Sequence, residues 1–427
     1  MSNLFERAEA VMPGGINTVI HNYPPRFATS RASGAYFWDQ NGKKYIDYLG
    51  AWGPIILGYD YKPVKEKVKA AIDRYDLYGI GASEAEVQMA EKICKYVKGA
   101  ERSLMCGSGS ESTYHAIRLA RAYTGRNKII KMQGAFHGWH DAVLMNVLSK
   151  KENLYKPDPF SAGMNLEVVN KTKICRINDL DNLRDTIRAN DGDIAAVIVD
   201  PYSTTFGCFR MHDEYMRGLR QICDEEGIVL IYDEVVSGWR VGLGGASQKF
   251  DITPDLVCMG KAIGNGFPVA AVAGKRELMS TFNTVPGGTV AYQATYYGHP
   301  VMAAAAVATI EELEKPGFYE KLAEVGDYFA DGMRDIANRL DIELDVENCG
   351  SLIGVYFCKK PFNNYDELLE RVDAEASDRF RHMMIERGHY IALGTFKRLV
   401  TTAAHTKQDI AQTLETAEDV LREIYKK

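Results

Sequence analysis

Two apolar runs deliver the residues best placed for chemistry: Val229–Tyr232 leads into Asp233, and Leu256–Met259 leads into Lys261. Open α/β sheets bind ligands outside the carboxyl ends of their strands, so a carboxylate and an amine delivered this way face one pocket. A lysine after a strand is ordinarily a solvated surface residue. Lys261, however, stands between a buried-type strand and the glycine-rich run Ala262–Pro268, AIGNGFP, where backbone must approach something closely. Held in a dry cleft, a lysine loses proton affinity and becomes a usable nucleophile or base. Taken alone, Asp233 reads as a strand-end cap. Paired with such a lysine, it is the carboxylate that a pyridoxal 5'-phosphate site needs, holding the pyridine nitrogen protonated while the lysine carries the cofactor.

A second signal lies upstream. The short strand Arg102–Cys106 runs into Gly107-Ser108-Gly109-Ser110 and then into a helix over Glu111–Tyr123. Strand, glycine-rich turn and helix start form a phosphate cradle, because free N–H groups and the positive end of the helix dipole converge there.

The stretch IYDEVVSGWRVG followed by PDLVCMGKAIGNGFP resembles the signature of class III (ω-type) aminotransferases, pyridoxal-phosphate enzymes of fold type I. The resemblance runs along nearly the whole chain. It is strongest to the branch containing glutamate-1-semialdehyde aminomutase, through PGGIN, GAYFWDQNGKKYIDYLGAWGPIILG, AIRLARAYTGRNKIIK and FHGWHD. Several ordered motifs at the right spacing are far more specific than any one of them.

The resemblance implies roles for further residues. Gly109 and Ser110 match a Ser-Gly-Thr that binds the cofactor phosphate, with Gly107 replacing the usual asparagine. Phe136 matches an aromatic stacked on the pyridine face, a contact worth about 1 kcal/mol beyond burial; read without the family it is equally a core residue. His137 is either a hydrogen-bond donor behind the cofactor or a structural histidine. Val235 would pack on the ring face opposite Phe136. Thr295 matches a threonine that reaches the phosphate of the partner subunit, which implies a homodimer with shared active sites; otherwise it is a helix N-cap.

Substrate contacts are expected at Trp52, His21, Tyr202, Lys397 and Arg398. Two of these depart from the aminomutase pattern. His21 stands where that enzyme's carboxylate-binding arginine is counted, and Lys397 stands where a glutamate works beside the substrate amine. Losing an arginine fork and reversing a charge disfavour the aminomutase substrate by several kcal/mol.

The elements that must position these residues follow an α/β order. An N-terminal helix over Ser2–Met12 ends at Pro13-Gly14-Gly15, and a hairpin spans Gly34–Leu49 around Asp39–Gly42. Helical spacing covers Tyr61–Tyr75 and Ser83–Val97. Strands are expected at Lys128–Met132, Ala195–Asp200 and Val269–Gly274, with helices at Met211–Glu226 and Glu277–Phe282. Ser149–Ile174 reads as an irregular loop over the site. Val301–Leu340 is helical apart from Pro316-Gly317. Leu344–Cys358 supplies strands, Asn364–Arg387 a helix, and Lys407–Tyr425 a last amphipathic helix. The fold class is therefore α/β: a large domain with a mostly parallel central sheet over 56–305, and a smaller α+β domain assembled from 1–55 and 306–427.

Bulk properties narrow the partners. At 427 residues the chain can bury a large core, and 46% hydrophobic with 25% charged residues is ordinary for a globular protein. A net charge of −6 argues against nucleic acid or an anionic membrane as partner. The eight cysteines form no C-x-x-C pair and no apolar leader precedes the first helix, so a cytoplasmic protein without a metal site is expected.

The function expected is transfer of an amino group from an amino-acid donor, glutamate or glutamine, to an aldehyde or ketone. Tyr202, Ser203, Thr204, Tyr296 and Tyr297 would suit a polyhydroxylated amino-sugar acceptor of the aminoglycoside type. Three rivals stand beside it: the aminomutase, a β-amino-acid or ω-amine transaminase using Arg398 for carboxylates, and a non-catalytic cofactor-binding regulator.

Overall fold

The apolar runs between the glycine-rich turns assemble into one seven-stranded sheet. In the computed structural model, which describes residues 4–22, 26, 28–358, 362–392 and 394–426, its strands are β1 (Arg102–Cys106), β2 (Lys128–Met132), β3 (Thr172–Cys175), β4 (Ile194–Val199), β5 (Val229–Glu234), β6 (Leu256–Met259) and β7 (Ala270–Gly274). The spatial order is β1-β7-β6-β5-β4-β2-β3. Only β7 runs antiparallel to its neighbours; β6, β5, β4, β2 and β3 are parallel. Every residue of β4, β5, β6 and β7 is buried. That explains the continuous apolar runs, since a parallel sheet is covered on both faces.

Both chain ends build a second layer. Strands Tyr36–Asp39 and Lys44–Asp47 pair as the expected hairpin, and His389–Tyr390 joins its edge in parallel. Asp345–Cys349, Leu352–Tyr356 and Leu399–Val400 form a three-stranded antiparallel sheet. A separate buried cluster draws Ile46 and Tyr48 from one end of the chain, and Phe329, Met333, Phe380, Ile410 and Leu421 from the other. The helix Phe318–Arg339 spans both cores: Leu322 packs with the sheet cluster and Phe329 with the terminal one. Among the described residues no helix is long and apolar enough to cross a membrane.

Several boundaries differ from the sequence expectation, four of them instructively. The N-terminal helix spans Leu4–Val11, with Ser2 outside the described residues. The helix after β1 begins at Gly109 rather than Glu111, because the Ser108 hydroxyl caps it by accepting from Glu111 N. The run 149–174 is no single loop: it ends inside the sheet's edge strand β3, and its Tyr155 and Lys151 side chains bond Asp366 and Glu370. Asn364–Arg387 is two helices, Tyr365–Arg371 and Ala374–Glu386. Asp373 starts the second by accepting from Ala376 N at 2.9 Å, while its own N–H reaches Phe357 O at 2.8 Å.

Candidate active site

β5 and β6 are parallel, with Asp233 opposite Cys258 and Glu234 opposite Met259. Asp233 lies inside its strand rather than after it, and Lys261 opens the 3-10 turn Lys261–Gly264 just past β6. Lys261 holds a left-handed backbone, φ 47°, a conformation that costs a non-glycine residue about 1–3 kcal/mol and persists only where neighbours enforce it. Its amine is pushed down to about 8, by burial first and then by the Arg398 guanidinium, against the opposing charges of Asp233 and Asp200.

Asp233 is 6% exposed and its carboxylate is held on both sides. Oδ1 accepts from Val235 N at 3.0 Å, and Oδ2 lies 2.7 Å from Nδ1 of the buried His137. A carboxylate can only accept, so the imidazole carries its proton on Nδ1. His137 Nε2 is buried and unpartnered. Beside this pair, Asp200 is buried at the end of β4 and accepts from Thr204 N at 2.8 Å and Thr204 Oγ1 at 2.5 Å. Burial and the Asp233 charge raise the affinity of Asp200 for its proton.

The cradle is built from close backbone approaches. A Cβ on Gly109 would lie 2.6 Å from Val235 Cγ1, and one on Gly138 (φ 118°) would lie 2.9 Å from Ser110 Oγ. Trp139 N donates to Ser110 Oγ at 3.3 Å. Because Ser108 caps Glu111 N, the N–H groups of Gly109 and Ser110 at the helix start have no intrahelical partner. Phe136 is not core: the residue is 43% exposed, and its N–H is fixed by Thr205 Oγ1 at 2.9 Å. Val235 fills the space between Gly109 and Gly260, its Cγ1 lying 3.3 Å from a Cβ position on Gly260.

On the other side of Lys261 stands Gly53. A Cβ there would sit 3.5 Å from Lys261 Cδ and 3.4 Å from Arg398 Nη2. Arg398 donates to Trp52 O and Thr204 O, each at 2.9 Å, leaving its buried Nε without a partner. Leu49, Trp52, Lys397 and Arg398 line one narrow cleft. Lys397 is pushed down to about 8 by burial, Arg398 and Arg381, so these residues are not solvated loop charges.

Two expected contacts stand apart from this cluster, and Thr295, expected to serve a partner subunit, lies at the surface. Tyr202 is 1% exposed, with its ring against Phe250. His21 is exposed in the turn Val19–His21, and no contact of the cluster just described involves it. Thr295 is exposed on a turn and caps no helix; His299 Nδ1 caps Pro300–Leu313 instead, accepting from Val301 N.

Two residues near the site escaped the sequence reading. Asn265 accepts from Ile56 N and Leu57 N, both at 3.0 Å, and donates to Gly58 O. Arg240 is buried beneath Gly53. Both stand inside quoted motifs, but nothing local reveals partners some 200 residues away in the chain.

These residues fit pyridoxal phosphate. A helix start with free N–H groups suits the phosphate, the ring of the exposed Phe136 and the Val235 methyls suit two faces of a flat ring, and the clamped Asp233 suits the ring nitrogen. The softened Lys261 suits covalent attachment. Sheet, cradle, carboxylate and lysine together define a fold type I pyridoxal-phosphate enzyme. Residues 19–421 match the family Aminotransferase class-III, and the chain belongs to that family; its cofactor is pyridoxal 5'-phosphate.

Solved structures agree. An omega-transaminase from Sphaerobacter thermophilus is 27% identical with TM-score 0.92, covering 99% of this chain and 97% of its own. A transaminase with PLP bound is 28% identical with TM-score 0.89, covering 99% and 96%. A glutamate-1-semialdehyde aminomutase from Pseudomonas aeruginosa PAO1, at 20% identity and TM-score 0.88 over 99% and 94%, shares the fold.

Cofactor capture should depend on pH in one direction. The attacking amine must be neutral, and Lys261 sits at about 8. The rate of reducible label appearing on Lys261 of the cofactor-free enzyme is expected to climb about tenfold between roughly pH 6.5 and 7.5 and to level off above about 9. Rapid mixing followed by borohydride quenching measures it; a flat profile would remove the case for a softened lysine.

Proposed function

We propose that this enzyme is a transaminase whose amine substrate carries a carboxylate, bound by Arg398 and Lys397 beside Trp52 while Lys261 works at the amine-bearing carbon. The observation that carries this reading is the shared position of Arg398 and Lys261 against Gly53. Glutamate is the donor this favours, with a β- or ω-amino acid fitting the same pair.

The cofactor supplies an aldehyde that captures amines and a pyridinium ring that accepts an electron pair. The chain's residues do the rest. Gly109 and Ser110 hold the phosphate, with Thr295 of a second protomer completing the site in a homodimer. Phe136 and Val235 would hold the ring in place by packing on its two faces. Asp233, oriented by His137, keeps the ring nitrogen protonated. Lys261 would anchor the cofactor and, with its amine free, would act as the base that takes a proton from the amine-bearing carbon of the substrate and as the acid that gives one back.

The amino-sugar acceptor has less support from the hydroxyl-rich loop than its composition promised. Thr204 Oγ1 is bonded to Asp200, Thr205 Oγ1 takes the Phe136 N–H, and Tyr202 is enclosed. Lys397 and Arg398 would also repel a polycationic sugar.

The test is the amine half-reaction, followed by loss of the bound cofactor's absorbance. Arg398→Ala is expected to raise the KM for glutamate or a β-amino acid about 10- to 100-fold, the scale of a lost charge-assisted hydrogen bond, and to change that for a carboxylate-free amine less than about threefold. An unchanged KM for every carboxylate donor would overturn the reading. Conversion by an aminoglycoside with a primary 6′-amine would restore the amino-sugar assignment. Turnover of 4,5-diaminovalerate without external keto acid would restore the aminomutase.

A further inference from the structure

The turn that meets Lys261 keeps a left-handed backbone along its whole length, and two of its four residues are strained by it. Gly50, Ala51, Trp52 and Gly53 all hold positive φ, at 55°, 53°, 68° and 106°. Ala51 and Trp52 are L-residues in a left-handed conformation, which relaxes unless surrounding contacts enforce it. Side-chain support comes from beneath. Arg240, 1% exposed, donates through Nε to Gly53 O at 2.9 Å and through Nη2 to Gly53 O at 2.8 Å and to Ile55 O. Its Nη1 donates to Ser351 Oγ at 2.9 Å and Thr401 O at 3.2 Å. All five N–H groups of the fork are used.

None of these acceptors is a carboxylate. A buried cation held only by carbonyls and one hydroxyl is costly, and its affinity for the proton falls to about 9, by burial and by Arg398. An ordinary core position would be better filled by an apolar side chain. What the guanidinium offers here is reach: from the segment after β5 it binds the pre-sheet segment at Gly53 and Ile55, the turn at Ser351 and the residue after Leu399–Val400. The next residue before that pair is Arg398, which itself bonds Trp52 O.

We propose that Arg240 is the positioning residue that holds the Gly50–Gly53 turn against Lys261 and Arg398, tying both chain-end segments to the reacting lysine. The geometry of five donors, not the charge, does this: a lysine offers three donors from one point and cannot span acceptors on three segments. The assignment rests on Lys261 being the cofactor lysine and is independent of which carboxylate Arg398 binds.

The experiment compares full-length, cofactor-loaded wild type with Arg240→Lys. Three quantities are read: hydrogen exchange of residues 50–55, kcat against KM, and the lysine labelled by borohydride. The expected result is exchange about tenfold faster at 50–55 with residues 229–234 unchanged, kcat lower by about tenfold or more with KM within about threefold, and label still on Lys261. Wild-type exchange at 50–55 would overturn the proposal, as would faster exchange with wild-type kcat, which marks Arg240 as a structural anchor only. If Arg240→Lys does not fold, Ser351→Ala removes a single acceptor and is expected to move exchange and kcat the same way by about two- to fivefold; unchanged kcat there overturns it too. Label on another lysine in the wild type would overturn the role of Lys261 itself, an outcome distinct from failure of Arg240 alone.

Discussion

Lys261→Ala is expected to fold, to bind pyridoxal phosphate only reversibly, and to lose turnover by about 10⁴-fold or more. Two functions leave with one side chain. The covalent anchor goes, and so does the group that moves the proton, a contribution worth about 10²–10⁴ by itself. Folding should survive because the lysine is only half-buried and has no ion-pair partner within hydrogen-bonding reach among the described residues. The change has opposing effects on its neighbours: Arg398 and Arg240 lose a like charge, while Asp233 and Asp200 lose an opposite one. Alanine keeps the left-handed backbone at the same cost, so no large compensating gain in stability is expected. Borohydride reduction followed by peptide mapping checks the anchor, and single-turnover mixing with amine checks the proton step. Turnover within tenfold of wild type would remove Lys261 from the mechanism.

Asp233→Asn is expected to keep the cofactor bound and to lower kcat by about 10²–10³-fold, the scale of removing a preorganised charge from a reacting centre. The amide can still accept from Val235 N, so the strand end should hold its shape. It cannot supply the negative charge that keeps a ring nitrogen protonated, nor accept with both atoms: the nitrogen of the amide turned toward His137 would meet another donor. The loss should therefore fall on the chemical step, with KM for the amine changed little. A solvent-exchange measurement of the substrate carbon's proton, run beside kcat, separates that step from binding. Unchanged proton exchange would assign Asp233 to the cap role that its strand-end position also allows.

The lysine and the carboxylate were legible because strand-end chemistry is local. An apolar run of four to six residues, a polar residue at its end and a glycine-rich turn are written in consecutive letters. The cradle at Gly109–Ser110 was legible for the same reason, although Ser108 as the cap moved the helix start by two residues. Helix breaks were harder. Asp373 inside a helical pattern is an N-cap once the Phe357 carbonyl holds its N–H, and that carbonyl is set by a sheet the pattern does not show.

Composition says less than position does. Tyr202, Ser203 and Thr204 read as a hydroxyl-rich wall for a sugar, yet they are 1–2% exposed and the Thr204 hydroxyl is bonded to Asp200. Arg398 and Lys397, by contrast, read equally well as loop charges. Their cleft exists only because Trp52 O and Thr204 O, from far earlier in the chain, accept the two ends of the guanidinium.

The sequence by itself determined the fold class, through hydrophobic periodicity and turn glycines that act between neighbours in the chain; it reached the cofactor through ordered motifs, and it singled out Asp233 and Lys261 as the candidate pair. Tertiary structure decided which side chains meet: His137 on Asp233, Val235 on Gly109, Gly53 between Lys261 and Arg398, and Arg240 beneath them all. The Arg398 bond to Trp52 O in the same cluster joins residues 346 positions apart. Such contacts form only when sheet and chain-end layers pack together, since burial and long-range hydrogen bonding, not local propensity, choose the partner.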